Sequence, residues 1–150
     1  MSKLSILFGT ETGNAEMVAE DLAAALAGNG IDTEVSGMED CAAEDLAGQD
    51  VLLIVSTYGE GELPESAAPF FEALEHREPD LSSVRFAAFG LGDSTYDTYN
   101  NGIATLVAKF TALGATQIGA TGYHDADSGL NPSDVAIDWA GTVFAPVAQA

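Results

Sequence analysis

Short apolar runs alternate with segments whose apolar residues have helical spacing along this 150-residue chain. The runs at residues 4–8, 51–55 and 86–91 predict strands. The run VLLIV at 51–55 has five consecutive apolar residues, three of them β-branched, which is typical of a strand buried on both faces of a parallel sheet. Weaker patterns predict strands near residues 33–35 and 117–119.

Helical spacing predicts four helices between and after these strands. They extend over about residues 15–28, 64–76, 102–113 and 135–144. The glycines at residues 28–30 and at Gly114 suit helix ends, and Pro64 suits a first helical turn. Trp139 falls on the apolar face of the last helix, which predicts a core residue.

The alternation of strand and helix predicts one doubly wound α/β domain, residues 1–150, with a mostly parallel sheet. In such sheets a ligand binds beyond the carboxyl ends of the strands. The loops after Phe8, Val55 and Leu91 are therefore the first places to look for a site.

The charge balance is strongly acidic, with 24 Asp and Glu against 4 Lys and Arg and a net charge of −20. Such a surface repels nucleic acids and anionic membranes. It would attract partners with a basic surface, or it could serve only to keep the protein soluble in a salt-rich cytoplasm. Composition leaves both explanations open. The basic residues are Lys3, Arg77, Arg85 and Lys109.

The single cysteine, Cys41, rules out an internal disulfide, and no second Cys or His lies at metal-ligand spacing from it. We expect no metal site and a reducing, cytoplasmic location. No leader-like segment and no stretch approaching the ~18 apolar residues of a membrane span is present in the sequence. His76 and His124 are isolated in the sequence, and we expect both on the solvated surface.

The first loop, residues 10–15, joins a strand to the start of a helix. Free amides and the helix dipole favour an anion there, and the hydroxyls of Thr10 and Thr12 could add donors. Gly13 would let the backbone approach a phosphate closely. The same residues also suit an ordinary helix turn capped by Thr or Asn, so this loop alone leaves both readings open.

The second and third loops contain tyrosines outside the apolar periodicity. Tyr58 lies beside two glycines, and Tyr96 and Tyr99 lie in a polar turn after the fourth strand. One tyrosine alone could simply cover the end of the sheet. Two aromatic loops beside a phosphate loop instead indicate a planar ligand with one phosphate, held between two side chains.

Three motifs in this order resemble those of the flavodoxins, small FMN-binding electron carriers: TETGN at 10–14, STYG at 56–59 and GDSTY at 92–96. The resemblance covers the whole chain and implies a five-stranded parallel sheet with helices on both faces. Ala15 and YGEG at 58–61 are similar to the FMN domains of diflavin reductases. The segment 117–132 is too short for the extra loop of long-chain flavodoxins, which implies the short-chain type.

The resemblance also implies the residues that bind FMN. Phosphate-binding amides and hydroxyls are assigned to Thr10, Glu11, Thr12, Gly13, Asn14 and Ala15. Tyr58 and Tyr96 would stack on the two faces of the isoalloxazine, with Gly59 next to the flavin N5. Backbone contacts to the ring edge and ribityl chain are assigned to Ser56, Thr57, Leu91, Gly92 and Asp93. Gly61, Tyr99 and Asn100 complete the set as neighbours.

The function implied by the resemblance is a monomeric, low-potential carrier without catalytic residues. It would pass single electrons from a flavin-containing reductase to an oxidoreductase or a haem or iron–sulfur protein. No second domain for FAD or a nicotinamide cofactor is present in the sequence, so another protein would have to reduce it. Glu60, Glu62, Asp93 and Asp97 would disfavour an added negative charge on the flavin and so lower its potential.

The sequence fits three other functional classes less well. An FMN-dependent quinone reductase would need an exposed flavin face and a second subunit, which the Tyr58 and Tyr96 arrangement disfavours. A phosphate-signalling receiver domain needs an acidic pair after the first strand, where this chain has Gly9 and Thr10. A nucleotide hydrolase needs a glycine-rich loop that ends in Gly-Lys-Ser/Thr, which the sequence lacks.

Overall fold

The computed structural model describes residues 4–9, 14–28, 32–38, 50–56, 68–78, 80–92, 101–119, 121–125 and 131–148. Of residues 14, 56, 92, 101, 102 and 142–148 it describes the backbone only. Within these ranges the elements are β1 (Leu4–Gly9), α1 (Asn14–Gly28), β2 (Thr33–Gly37), β3 (Asp50–Ser56), α2 (Ala68–Arg77), β4 (Arg85–Gly92), α3 (Asn101–Ala112), β5 (Thr116–Gln117), β6 (Gly122–Asp125) and α4 (Pro132–Ala148).

The strands form one sheet in the order β2-β1-β3-β4-β5, and β6 also pairs with β4. All of these pairings are parallel. From β1 the chain moves to β2 on one side, and it then crosses to β3 on the other side of β1. The order therefore reverses beside β1, which is where open α/β sheets bind ligands. The predicted doubly wound fold is confirmed.

The fifth position of the sheet holds two short strands instead of one. β5 pairs with the start of β4, and β6 pairs with its end. Between them Gly119 has a φ of 67°, and the Gln117 side-chain amide donates to the Thr121 hydroxyl at 2.8 Å. This hydrogen bond joins the end of β5 to the residue before β6. The strand predicted near residues 117–119 is therefore shifted to β5, and β6 was not predicted at all.

Each face of the sheet carries its own apolar core. Alternate residues of β3 divide between the two faces: Val51 and Val55 belong to one core, and Leu52 and Ile54 to the other. All five residues at 51–55 are fully buried, which confirms the predicted doubly covered strand. One core packs against α2 and α3 through Phe70, Leu74, Ile103, Leu106 and Phe110. The other packs against α1 and α4 through Ala15, Val18, Leu22, Ala136 and Ala140.

The end of α3 follows the predicted glycine signal closely. Gly114 has a φ of 103°, the Ala115 amide donates to the Phe110 carbonyl at 3.0 Å, and the Gly114 amide donates to the Thr111 carbonyl at 3.0 Å. These two hydrogen bonds are those of a Schellman motif. The chain then enters β5 through a Thr116 amide hydrogen bond to the Val84 carbonyl, so α3 ends beside the start of β4.

The other predicted helices are confirmed with small changes at their ends. α1 ends at Gly28 as expected, and α2 is described from Ala68, so the role of Pro64 lies outside the described residues. α4 begins where the Asn131 side chain accepts a hydrogen bond from the Asp134 amide at 3.1 Å.

The prediction of a core position is confirmed for Trp139, and the prediction of a surface position is wrong for His124. Trp139 packs on the α1 and α4 core, 5.3 Å from the ring centre of Phe89, as predicted. His76 is exposed as expected, but His124 is only 8% exposed, so the expectation of a surface histidine there is wrong. His124 lies on β6, the strand that the periodicity did not predict, and strand alternation turns it inward beside Gly122.

Candidate functional site

The carboxyl ends of four strands lie side by side and form what is called here the carboxyl edge of the sheet. Gly9 of β1 is in register with Val55 of β3, Val55 with Gly90 of β4, and Gly90 with Tyr123 of β6. One residue further along, Ser56, Leu91 and His124 form the next row. With strands about 4.8 Å apart, the row from β1 to β6 spans about 14 Å.

The three loops chosen from the sequence start at this edge. β1 ends at Gly9, β3 at Ser56 and β4 at Gly92, which are the starting points of the loops with the phosphate and tyrosine motifs. Gly9 and Gly90 lie on either side of Val55, so this row has no side chain on β1 or β4. These two glycines therefore add no side-chain bulk between the strand ends.

α1 begins five residues after Gly9, so its first-turn amides, which have no partner within the helix, follow the carboxyl end of β1. Ala15 is fully buried, and its methyl group packs in the core beside Val18. A ligand at the helix start can therefore meet the backbone of Ala15 but not its side chain. Glu16, also in the first turn, is exposed.

Five of the site residues predicted from the sequence fall in the described part of the chain, and their backbones lie at this edge: Asn14, Ala15, Ser56, Leu91 and Gly92. The others lie outside the described residues: Thr10, Glu11, Thr12, Gly13, Thr57, Tyr58, Gly59, Gly61, Asp93, Tyr96, Tyr99 and Asn100. Their contacts to a cofactor stay predictions.

Sequence reasoning missed the contribution of β6 to this edge. His124 is in register with Leu91, and Asp125 is in register with Gly92. The signal was weak because β6 has only four residues, GYHD, and its inward positions are a glycine and a histidine. Neither residue is typical of a buried strand face, so apolar periodicity could not show the strand.

The described cations lie at the opposite end of the strands, where β3 and β4 begin. Arg85 starts β4 and makes two hydrogen bonds of 2.9 Å to the carboxylate of Asp50, which starts β3. These hydrogen bonds raise the pKa of Arg85. Arg77 and Lys109 lie in the last turns of α2 and α3, which end near the start of β4.

The separation between these cations and the candidate site is large. The eight residues of β4 place Arg85 about 23 Å from Gly92. This exceeds the screening length of about 8 Å at physiological salt. Among the described residues, an anion at the candidate site would therefore depend on amides and hydroxyls instead of a basic side chain.

This donor set fits FMN. The amides at the start of α1 suit a phosphate group, and backbone groups at the ends of β3 and β4 suit the polar edge of a flat ring. In the ranges that the structure describes, no cluster of three or more His, Cys, Asp or Glu side chains could hold a metal ion. In the same ranges, no helix is both long enough and apolar enough to pass through a membrane.

Comparisons with known proteins point to one family. The family model described as Flavodoxin matches residues 6–139. Protein MioC of Escherichia coli strain K12 is 38% identical over 143 residues, which cover 95% of this chain and 96% of MioC. The sulfite reductase [NADPH] flavoprotein alpha-component of Thiocapsa roseopersicina is 37% identical over 120 residues, which cover 79% of this chain but only 23% of that protein.

Solved structures agree with the sequence comparisons. A cysteine-to-serine variant of the flavodoxin from Pseudomonas aeruginosa superposes with a TM-score of 0.86 at 28% identity, covering 99% of both chains. Oxidised flavodoxin 1 from Bacillus cereus gives a TM-score of 0.81 at 25% identity, covering 97% of this chain and 98% of the other. The chain therefore belongs to the flavodoxin family of FMN-binding electron-transfer proteins.

Proposed function

We propose that residues 1–150 form a single FMN-binding domain that carries single electrons at low potential between a flavin-containing reductase and an acceptor protein. The observation that carries the proposal is the alignment of the ends of β1, β3 and β4 at one edge, away from the described cations, in a chain of the flavodoxin family. FMN, when bound there, supplies the one-electron chemistry, and the protein sets its potential and access.

In this proposal the start of α1 holds the phosphate. The first amides of α1, at Asn14 and Ala15, would bind it together with Glu11, Thr12 and Gly13, which precede them in the sequence. Amides and hydroxyls can bind a phosphate without a formal positive charge. The buried Ala15 methyl leaves no room for a side-chain contact at that position, so the backbone amide is its contribution.

The ring would lie between Tyr58 and Tyr96, against the ends of β3 and β4. Backbone groups at Ser56, Leu91 and Gly92 would meet its polar edge. This arrangement leaves the protein no catalytic side chain to supply, so we propose a carrier without substrate turnover of its own.

The protein's charge would keep the potential low. A carboxylate at ~10 Å from the ring, at an effective dielectric of ~20, disfavours an added negative charge by on the order of 1 kcal/mol before screening. The net charge of −20 would act in the same direction, and the described cations are too distant to offset it.

The same charge supports partners with a basic surface. The segments similar to this chain cover 23% of the sulfite reductase flavoprotein component of Thiocapsa roseopersicina and 21% of the NADPH–cytochrome P450 reductase of Musca domestica. By analogy we propose that separate redox proteins donate and accept the electrons here. We also propose that the protein is a monomer of the cytoplasm.

Two measurements on the purified protein test this function. FMN added to the apoprotein should bind, and the fluorescence of the bound FMN should be quenched. A potentiometric titration of the complex should show two separate one-electron steps, the second at low potential. The complex alone should not oxidise a nicotinamide cofactor. A protein that ignores FMN, or a single two-electron wave, would contradict the carrier function.

A further inference from the structure

Tyr123 is an aromatic residue that the proposed FMN site does not use. It lies on β6 and is 50% exposed, whereas its strand neighbours Gly122 and His124 are buried. Of the large apolar side chains in the described ranges, it has the highest exposure among the three that are exposed, the others being Met17 and Ile137. About half of this side chain is therefore accessible to a binding partner.

The position of Tyr123 follows from strand register. Gly122 faces α4, because a Cβ at Gly122 would lie 2.6 Å from the Trp139 indole. Strand alternation therefore directs Tyr123 to the other face, the face that α2 and α3 cover. Its register partner on β4 is Gly90, which has no side chain to cover the ring from that strand.

Tyr123 is close to the candidate site. It lies on β6, which pairs with β4, and it is two residues before Asp125, the residue in register with Gly92. With about 4.8 Å between strands and 3.3 Å per residue, the Cα atoms of Tyr123 and Gly92 are roughly 8 Å apart. A protein that docks against Tyr123 would therefore approach the edge proposed to hold the flavin.

Charge complementarity identifies the kind of partner. Tyr123 lies toward the edge where β6 ends in Asp125, whereas Arg77, Arg85 and Lys109 border the opposite edge. The chain carries a net charge of −20. Lys or Arg side chains are attracted both to this field and to the face of an exposed tyrosine ring.

We propose that Tyr123 is the aromatic anchor of a docking surface for a redox protein with a Lys- or Arg-rich face. This proposal rests on the proposed function and adds to it the surface by which the partner is held. Tyrosine is enriched among the interface residues that carry most of the binding energy, since a rigid ring buries a large area at low entropic cost. The acidic surroundings steer the encounter, and the ring then holds the complex.

A stopped-flow experiment tests the role of Tyr123. The protein is loaded with FMN, reduced anaerobically with dithionite, freed of excess reductant and mixed with a lysine-rich ferric c-type cytochrome. One electron passes from the reduced FMN to the ferric haem, which becomes ferrous. The second-order rate constant is measured at low ionic strength for the wild type, Tyr123→Ala, Tyr123→Phe and Ile137→Ala.

We expect Tyr123→Ala to lower the rate constant about fivefold to tenfold. Tyr123→Phe keeps the ring and should stay within about twofold of the wild type. Ile137→Ala is the matched control, because it removes an apolar side chain of 36% exposure from α4, on the other face of the sheet. FMN affinity and both potentials should be unchanged in all three variants.

The outcomes separate this proposal from the proposed function. A wild type that does not bind FMN overturns the function itself. A Tyr123→Ala protein that binds FMN normally and reacts at the wild-type rate overturns only the docking role. Weakened FMN binding in Tyr123→Ala would place the ring in the cofactor pocket, and an equal loss in Ile137→Ala would show that the effect is not specific to this surface.

Discussion

Gly114 shows how a single residue fixes the end of a helix. Its φ of 103° is unfavourable for residues with a side chain, and a Cβ built there would lie 3.3 Å from the backbone of Ser82. The backbone conformation therefore favours glycine strongly, and the space beside Ser82 is tight for a methyl group. This end of α3 also sets the entry into β5 through the hydrogen bond between Thr116 and Val84.

We expect Gly114→Ala to lower the free energy of unfolding by about 1–2 kcal/mol, because the left-handed conformation alone costs that much for a residue with a Cβ. Urea denaturation of the apoprotein measures the change. Gly28→Ala is the control, because a Cβ at Gly28 meets nothing within 4 Å. That variant should be neutral or slightly stabilised, and an equal loss in both would contradict the argument from φ and space.

Thr12 tests the phosphate loop at the level of one hydroxyl. It lies outside the described residues, so its role rests on the sequence motif. A hydrogen bond to a charged group contributes about 1.5 kcal/mol or more, so Thr12→Val should weaken FMN binding about tenfold or more. Riboflavin has the same ring without the phosphate, and its affinity should hardly change. Equal losses for both ligands in a fluorescence titration would mean that this loop does not bind the phosphate.

At the scale of elements, the strongly periodic segments were predictable. VLLIV at 51–55 gave β3 because central parallel strands are apolar on both faces. The helix spacing gave α1 and α3 to within one or two residues. The outermost strands beside β4 were not predictable in the same way, since β5 and β6 have only two and four residues.

The candidate site likewise has a part that was predictable from the sequence and a part that was not. Loop positions after β1, β3 and β4 follow from the order of strands, so the sequence could place them at one edge. The row formed by Leu91 and His124 could not be foreseen, because it depends on the register of a strand with no apolar signal. Burial of His124 is a consequence of that register and not of its residue type.

Contact between β6 and α4 is the element-scale feature that can be tested most directly. The Trp139 indole lies against Gly122, where an added Cβ would be 2.6 Å from three of its ring atoms. The ring also packs against Phe89, so it cannot withdraw without opening the core. A side chain at position 122 therefore requires Trp139 or α4 to move away from β6.

We expect Gly122→Ala to destabilise the protein by about 1–3 kcal/mol, the usual cost of overpacking a core. The fluorescence of Trp139, the one tryptophan in the chain, should change with it. Gly141→Ala on the same helix is the control, because a Cβ there meets nothing within 4 Å. Unchanged stability in Gly122→Ala would show that α4 can shift away from the sheet at little cost.

At the scale of the whole molecule, net charge opposes folding. A charge of −20 on 150 residues repels itself in the compact state more than in the expanded unfolded chain. The described cations offset this locally, and the clearest case is Arg85, which pairs with Asp50 at the starts of β4 and β3. Acidic residues therefore divide into those that a cation pairs and those that add to the general repulsion.

This division predicts opposite effects of removing single negative charges. Glu20→Gln and Asp138→Asn, at exposed positions of α1 and α4, should each stabilise the protein by a few tenths of a kcal/mol in dilute buffer. The gain should vanish in about 0.5 M NaCl, because screening removes the same repulsion. Asp50→Asn should instead destabilise by about 0.5–1 kcal/mol, since it breaks a bidentate pair whose carboxylate side is only 15% exposed. Urea denaturation at low and high salt measures all three variants, and stabilisation by Asp50→Asn would show that general repulsion outweighs the ion pair even where the geometry is best.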